Sequence, residues 1–294
     1  MAGANAAGKS FGYGMCNPVI KKMAKKSTTL EITNGEATYK GIAGKTIYFL
    51  ILCVIGFAAY FIVHNIFMQS AESFGGVFTL DPEDFAGILE VNTCALEAIV
   101  FLVAGILVLF TPLLAWLIRP IIPVVGTLYA ICEGYFIGAI TGWLTQEYKW
   151  ISLVAFVLTA FIVGFMLFLY VKRIVTVTQK FKTVFSTLFF VMIFGGLAIF
   201  LLSFVPFLRP IIMGITTFMN NPIISIISSV LFIIIAAMFL LVDFSTIEEC
   251  VENKMPRKLE WMAAFGLVYT VIYIYFKILN LILQIVGNSK SSQS

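Results

Sequence analysis

Seven continuous apolar runs, at about 46–67, 95–117, 122–144, 151–171, 184–207, 223–242 and 261–286, limit what this 294-residue chain can fold into. Each is close to the ~20 residues that carry a helix across a ~30 Å hydrocarbon core. Inside lipid the backbone must satisfy its own hydrogen bonds, so runs this long are helices; barrel strands are about ten residues long and alternate. The expected fold class is all-α integral membrane with seven transmembrane helices. Composition excludes a water-soluble alternative. With 61% hydrophobic and 12% charged residues and a mean hydropathy of +1.02, too little polar material exists to cover a globule of this size.

Residues 1–45 read as a polar, basic cytosolic tail, 46–288 as the seven-helix transmembrane domain and 289–294 as a short polar tail. The tail is no signal peptide, because its first apolar stretch begins only after Lys45. With the N-terminus inside, the inner segments hold fifteen Lys or Arg, Arg119 among them, against three outside (Lys149, Arg209 and Lys290). That asymmetry predicts an N-in, C-out topology and a multi-pass protein of the cell (plasma) membrane. The lysines are thus topology signals and not a nucleic-acid footprint. The loop at 68–94 carries five acidic residues and no basic one, which suits the outer side. Five scattered cysteines (Cys16, Cys53, Cys94, Cys132 and Cys250) read as small hydrophobes or free thiols. Pro112, Pro206 and Pro222 fall near the ends of runs, with Pro112 the place for a kink in the second helix.

Four ionisable residues lie where a charge costs at least ~2.5–3.5 kcal/mol at the bilayer centre. Glu97 opens the second run. Glu133 sits about ten residues into the third, hence ~15 Å deep. Asp243 closes the sixth, and Lys277 lies within the last, with Asn280 and Gln284 on the same helical stripe. That stripe points the seventh helix into the bundle. Straight helices bring Glu133 to the depth of Lys277; a tilted seventh helix brings Lys277 toward Asp243. His64, the only histidine, reads as an interfacial imidazole. No Walker loop, GxSxG or HExxH motif is present, so no enzyme activity, cofactor or metal is expected.

The segments MCNPVIKKM, TYKGIAGKT, LYAICEGYFIGAI and LLVDFSTIEECVENKMPRKLEWMAAFGLVYTVIYIYFKIL, in this order, resemble the Bax inhibitor-like transmembrane proteins, in particular their longer bacterial branch. The resemblance implies a seven-helix bundle whose last helix is wrapped by the other six. It also implies an acidic pair, one ending the sixth helix and one in the seventh, acting as a proton-sensitive latch over a calcium leak. Asp243 falls on the first acid, Glu97 on a glutamate early in the second helix, and Glu133 on an EG pair of the bacterial branch. The second acid of the latch is replaced by Lys277. Two neighbouring carboxylates share a proton; a carboxylate and an ammonium instead make a neutral pair that repels calcium.

The expectation is a membrane protein that conducts or regulates ions, calcium among them, along Asp243, Glu133, Glu97 and Lys277. Its partners are the lipid bilayer and cations, with no nucleic acid. The alternative is a non-conducting interaction or stress-response protein in which an Asp/Glu–Lys lock is structural. A retinal protein, suggested by a lysine in the seventh helix, fails on orientation and on Tyr273 standing four residues before Lys277.

Overall fold

The computed structural model describes residues 35–69, 77–80, 91–118, 121–202 and 221–291, with a few positions between 205 and 217. Among them are seven long helices: α1 (Tyr39–Gln69), α2 (Ala95–Leu117), α3 (Ile122–Trp143), α4 (Trp150–Val171), α5 (Gln179–Leu202), α6 (Pro222–Glu252) and α7 (Leu259–Ser291). Each coincides with one apolar run of the sequence. At least six of them, α1, α2, α3, α4, α6 and α7, are long and apolar enough to cross a membrane. Their outward faces carry bare aliphatic and aromatic side chains, such as Val124 (73% exposed) and Phe161 (68% exposed), which only lipid can cover. The protein is therefore an all-α, multi-pass membrane protein.

Local chemistry sets the helix ends. Pro222 occupies the first turn of α6, where no amide is missed, and the Asn221 side chain accepts from the Ile223 N–H at 3.2 Å. α2 runs through Pro112 to Leu117. Pro206 and Arg119 lie outside the described residues. Between α1 and α2 the acidic loop holds an antiparallel hairpin, β1 (Val77–Leu80) on β2 (Val91–Cys94), with Val77 opposite Cys94. Short connections reverse the chain between α2 and α3, α3 and α4, α4 and α5, and α6 and α7. One end of the bundle, the hairpin end, thus bears β1 and β2. The other, the charged end, gathers the starts of α1, α3, α5 and α7.

α3 packs along α1 by close backbone approach. Gly126, Ala130, Gly134, Gly138 and Gly142 recur every fourth residue and form a small-residue stripe. At Gly134 a Cβ would stand 2.8 Å from the Cys53 carbonyl carbon and 2.9 Å from the Phe57 nitrogen, so backbone meets backbone. α7 packs against α1, α3, α4 and α6. The helix most enclosed by its neighbours is nonetheless α3. Eleven of its 22 residues are buried, against eleven of the 33 in α7. The expectation that the last helix is the wrapped one is met only in part, because glycines let α3 approach closely while α7 carries bulky side chains.

Candidate functional site

α6 and α7 run antiparallel, and their contacts follow one register. Near the charged end Asp243 faces Gly266 and Thr270, its Oδ1 lying 3.8 Å from where a Gly266 Cβ would be. Further along, Lys277 Nζ lies 4.7 Å from the ring centre of Phe232 and 5.3 Å from that of Tyr273. Near the hairpin end Ser229 donates to Gln284 Oε1 at 3.1 Å, and Gln284 donates to Asn280 Oδ1 at 3.2 Å. Gly266, Thr270, Tyr273, Lys277 and Gln284 recur at helical spacing, so the polar stripe of α7 meets α6. Only Asn280 sits on an exposed position. Asp243 carries an unpaired carboxylate oxygen on this seam: its Oδ2 is buried without a hydrogen-bond partner. The Thr270 hydroxyl beside it donates to the Gly266 carbonyl at 3.2 Å.

Asp243 does not mark the end of a helix, as the sequence suggests. α6 continues nine residues to Glu252, about 14 Å at ~1.5 Å per residue, so the carboxylate lies well inside. Glu133 is at a matching depth on α3, buried and facing Tyr129 of its own helix and Tyr269 of α7. Asp243 and Glu133 thus flank the same stretch of α7, Gly266–Thr270, from different sides. Lys277 is seven residues further, about 10 Å along the axis. Among the described residues no carboxylate comes within ion-pair distance of its ammonium, whose neighbours are aromatic. The ion pair that depth alone suggested for Lys277, with Glu133 or with Asp243, is not formed. Depth is one coordinate; the rotation of each helix decides contact, and it turns Lys277 onto Phe232.

Glu97 stands apart from this seam, in the first turn of α2 at the hairpin end. It is 2% exposed, and it accepts from His64 Nδ1 at 2.9 Å and from Thr93 Oγ1 at 3.2 Å. His64, stacked on Tyr60, is therefore a partner of Glu97 and not an idle interfacial ring.

The charged end holds groups that sequence reasoning passed over. Glu260, fully buried at the start of α7, takes the Lys45 ammonium and the Thr38 N–H, the latter at 2.8 Å. Arg257 Nε lies 3.8 Å away. Tyr170 and Arg173 of the α4 end grip Glu248, and buried Lys182 sits 2.6 Å from Glu249. The segment before α1 also pairs with the α6–α7 connection through Ala37 N to Met255 O at 2.7 Å. These contacts tie five helices together at one end. Their signal in the sequence is a set of acidic residues, Glu248, Glu249 and Glu260, just beyond apolar runs and matched by lysines and arginines at the same end. At mid-depth a chain of hydroxyls, Thr141–Ser152 at 2.8 Å and Ser152–Tyr275 at 2.7 Å, links α3, α4 and α7. Among the described residues no group of three His, Cys, Asp or Glu side chains is placed to hold a metal ion. The four described cysteines are free thiols.

The arrangement is one of buried ionisable groups, some paired and some not, set in an apolar bundle. No curated protein and no solved structure matches the chain. A family described as Bax inhibitor 1 like matches residues 17–287, which takes in α1 to α6, nearly all of α7, and Glu97, Glu133, Asp243 and Lys277. The chain belongs to the Bax inhibitor 1-like family.

Proposed function

We propose that this protein conducts or regulates the passage of cations, calcium among them, along the α6–α7 seam, with Asp243 as the group that takes the ion. The observation that carries this reading is the Asp243 oxygen buried without a partner on a polar stripe. A buried carboxylate left uncompensated is costly, and a passing cation compensates it. Glu133, flanking the same stretch of α7, is the candidate second acid of such a latch, in place of one on α7 itself. Lys277 sets a positive charge on the same route about 10 Å further along. That charge repels a divalent ion, so the wild-type calcium leak is small.

Lys45, Lys182, Arg173, Lys254 and Arg257 all gather at one end, which supports an N-terminus in the cytosol of a plasma-membrane protein with seven spans, α5 included. Calcium uptake into liposomes carrying the purified protein tests the proposal. The wild type leaks little, and Lys277→Asp or Lys277→Glu opens a leak; no flux from any variant overturns the reading. The ion pairs at the charged end favour a second reading, a non-conducting interaction or stress-response protein held by a structural lock there. It expects charged-end substitutions to lower stability with no flux from any variant.

A further inference from the structure

At the hairpin end α1, α2 and α3 enclose a cleft of ≈ 470 Å³, within the size range of small-molecule sites. Its walls are aromatic: Tyr60, Phe101, Tyr135, Phe136 and Trp143. The rings support one another, with centroids 4.4 Å apart for Phe101 and Phe136, 4.9 Å for Phe101 and Trp143, and 5.4 Å for Tyr60 and Tyr135. One carboxylate, Glu97, lines this apolar space, and its hydrogen bonds to His64 and Thr93 fix its position. A second polar group is left over. Tyr135 is 7% exposed, lines the cleft, and its hydroxyl is buried without a hydrogen-bond partner.

A carboxylate among aromatic rings favours a cation, because a ring face attracts a positive charge held within ~6 Å of it. The cation is not a bare metal ion. Calcium takes 6–8 oxygens, and this cleft offers a carboxylate and a phenol among carbon walls. The free Tyr135 hydroxyl asks for an N–H to accept, and the apolar walls ask for hydrocarbon. We propose that this cleft binds a protonated amine bearing an apolar substituent, its N–H groups donating to Glu97 and Tyr135 and its hydrocarbon lying along Phe101 and Phe136. The same chemistry belongs to a lipophilic amine from solution and to the headgroup of an aminolipid.

The test is calorimetric titration of the full-length protein in maltoside detergent with octylammonium. It reads binding and not flux, so it stands or falls apart from the α6–α7 seam. Octylammonium binds saturably at one site, and octyltrimethylammonium, with no N–H, binds more weakly. Octanol does not compete. Glu97→Gln weakens octylammonium binding about ten-fold or more. Tyr135→Phe removes a hydroxyl with no partner in the fold, so it leaves the protein folded and weakens binding several-fold. Octanol binding as tightly as octylammonium, or both variants binding like wild type, overturns the proposal. In nanodiscs, loss of octylammonium binding when phosphatidylethanolamine is added assigns the site to an aminolipid headgroup. Unchanged binding there assigns it to a soluble amine.

Discussion

Adding one methyl group at Gly134 tests the α1–α3 contact on which the bundle is built. The methyl of Gly134→Ala would lie within 3 Å of the Cys53 carbonyl carbon and the Phe57 nitrogen. Both are helix backbone, so neither can rotate away, and α1 must move outward along the small-residue stripe. Overpacking of this kind costs about 1–3 kcal/mol. At roughly 2–4 °C per kcal/mol for chains approaching this size, the melting temperature in maltoside falls by about 2–12 °C. Gly164 on α4 is the control: a methyl there meets nothing within 4 Å. Gly164→Ala keeps or raises the melting temperature, since alanine is about 0.5–1 kcal/mol better than glycine inside a helix. Equal melting temperatures for Gly134→Ala and Gly164→Ala would refute the backbone contact between α1 and α3.

Lys277→Met leaves the protein as stable or more so, because it removes a charge worth about 2.5–3.5 kcal/mol of insertion cost and breaks no ion pair. A loss of about 3–5 kcal/mol in the same melt would reveal a buried partner. Glu260→Ala strips Lys45 and the Thr38 amide of their acceptor and lowers stability by about 3 kcal/mol or more, whereas Arg257→Ala, at a 68% exposed side chain, changes it by less than about 1 kcal/mol. Tyr275→Phe cuts the hydroxyl chain at Ser152 and costs about 0.5–1.5 kcal/mol, measured as a shift in the same unfolding transition.

The helices were legible in the sequence because lipid leaves a chain few choices: every apolar run of about twenty residues coincides with a helix, although α1 starts seven residues before its run and α6 ends ten residues after its own. Legibility fell where contact depends on rotation. Lys277, Glu133 and Asp243 could be placed in depth by counting residues, but the phase that turns Lys277 onto Phe232 and Asp243 onto Gly266 comes from packing across α6 and α7. Asp243 read as a helix end because hydropathy drops after it, yet polar residues continue α6 to Glu252. Glu97 and His64 were each noticed, 33 residues apart, while their bond spans the α1–α2 turn. Glu260 went unremarked because an acid beside an apolar run is ordinary. Only the approach of Thr38 and Lys45, more than two hundred residues away in sequence, makes it a junction.

The central claim, that Asp243 takes the ion, is tested most directly by calcium uptake into liposomes carrying Lys277→Glu alone and Lys277→Glu combined with Asp243→Asn. The account expects a leak from the single variant that is lost in the double one. A leak of the same size in both would contradict it.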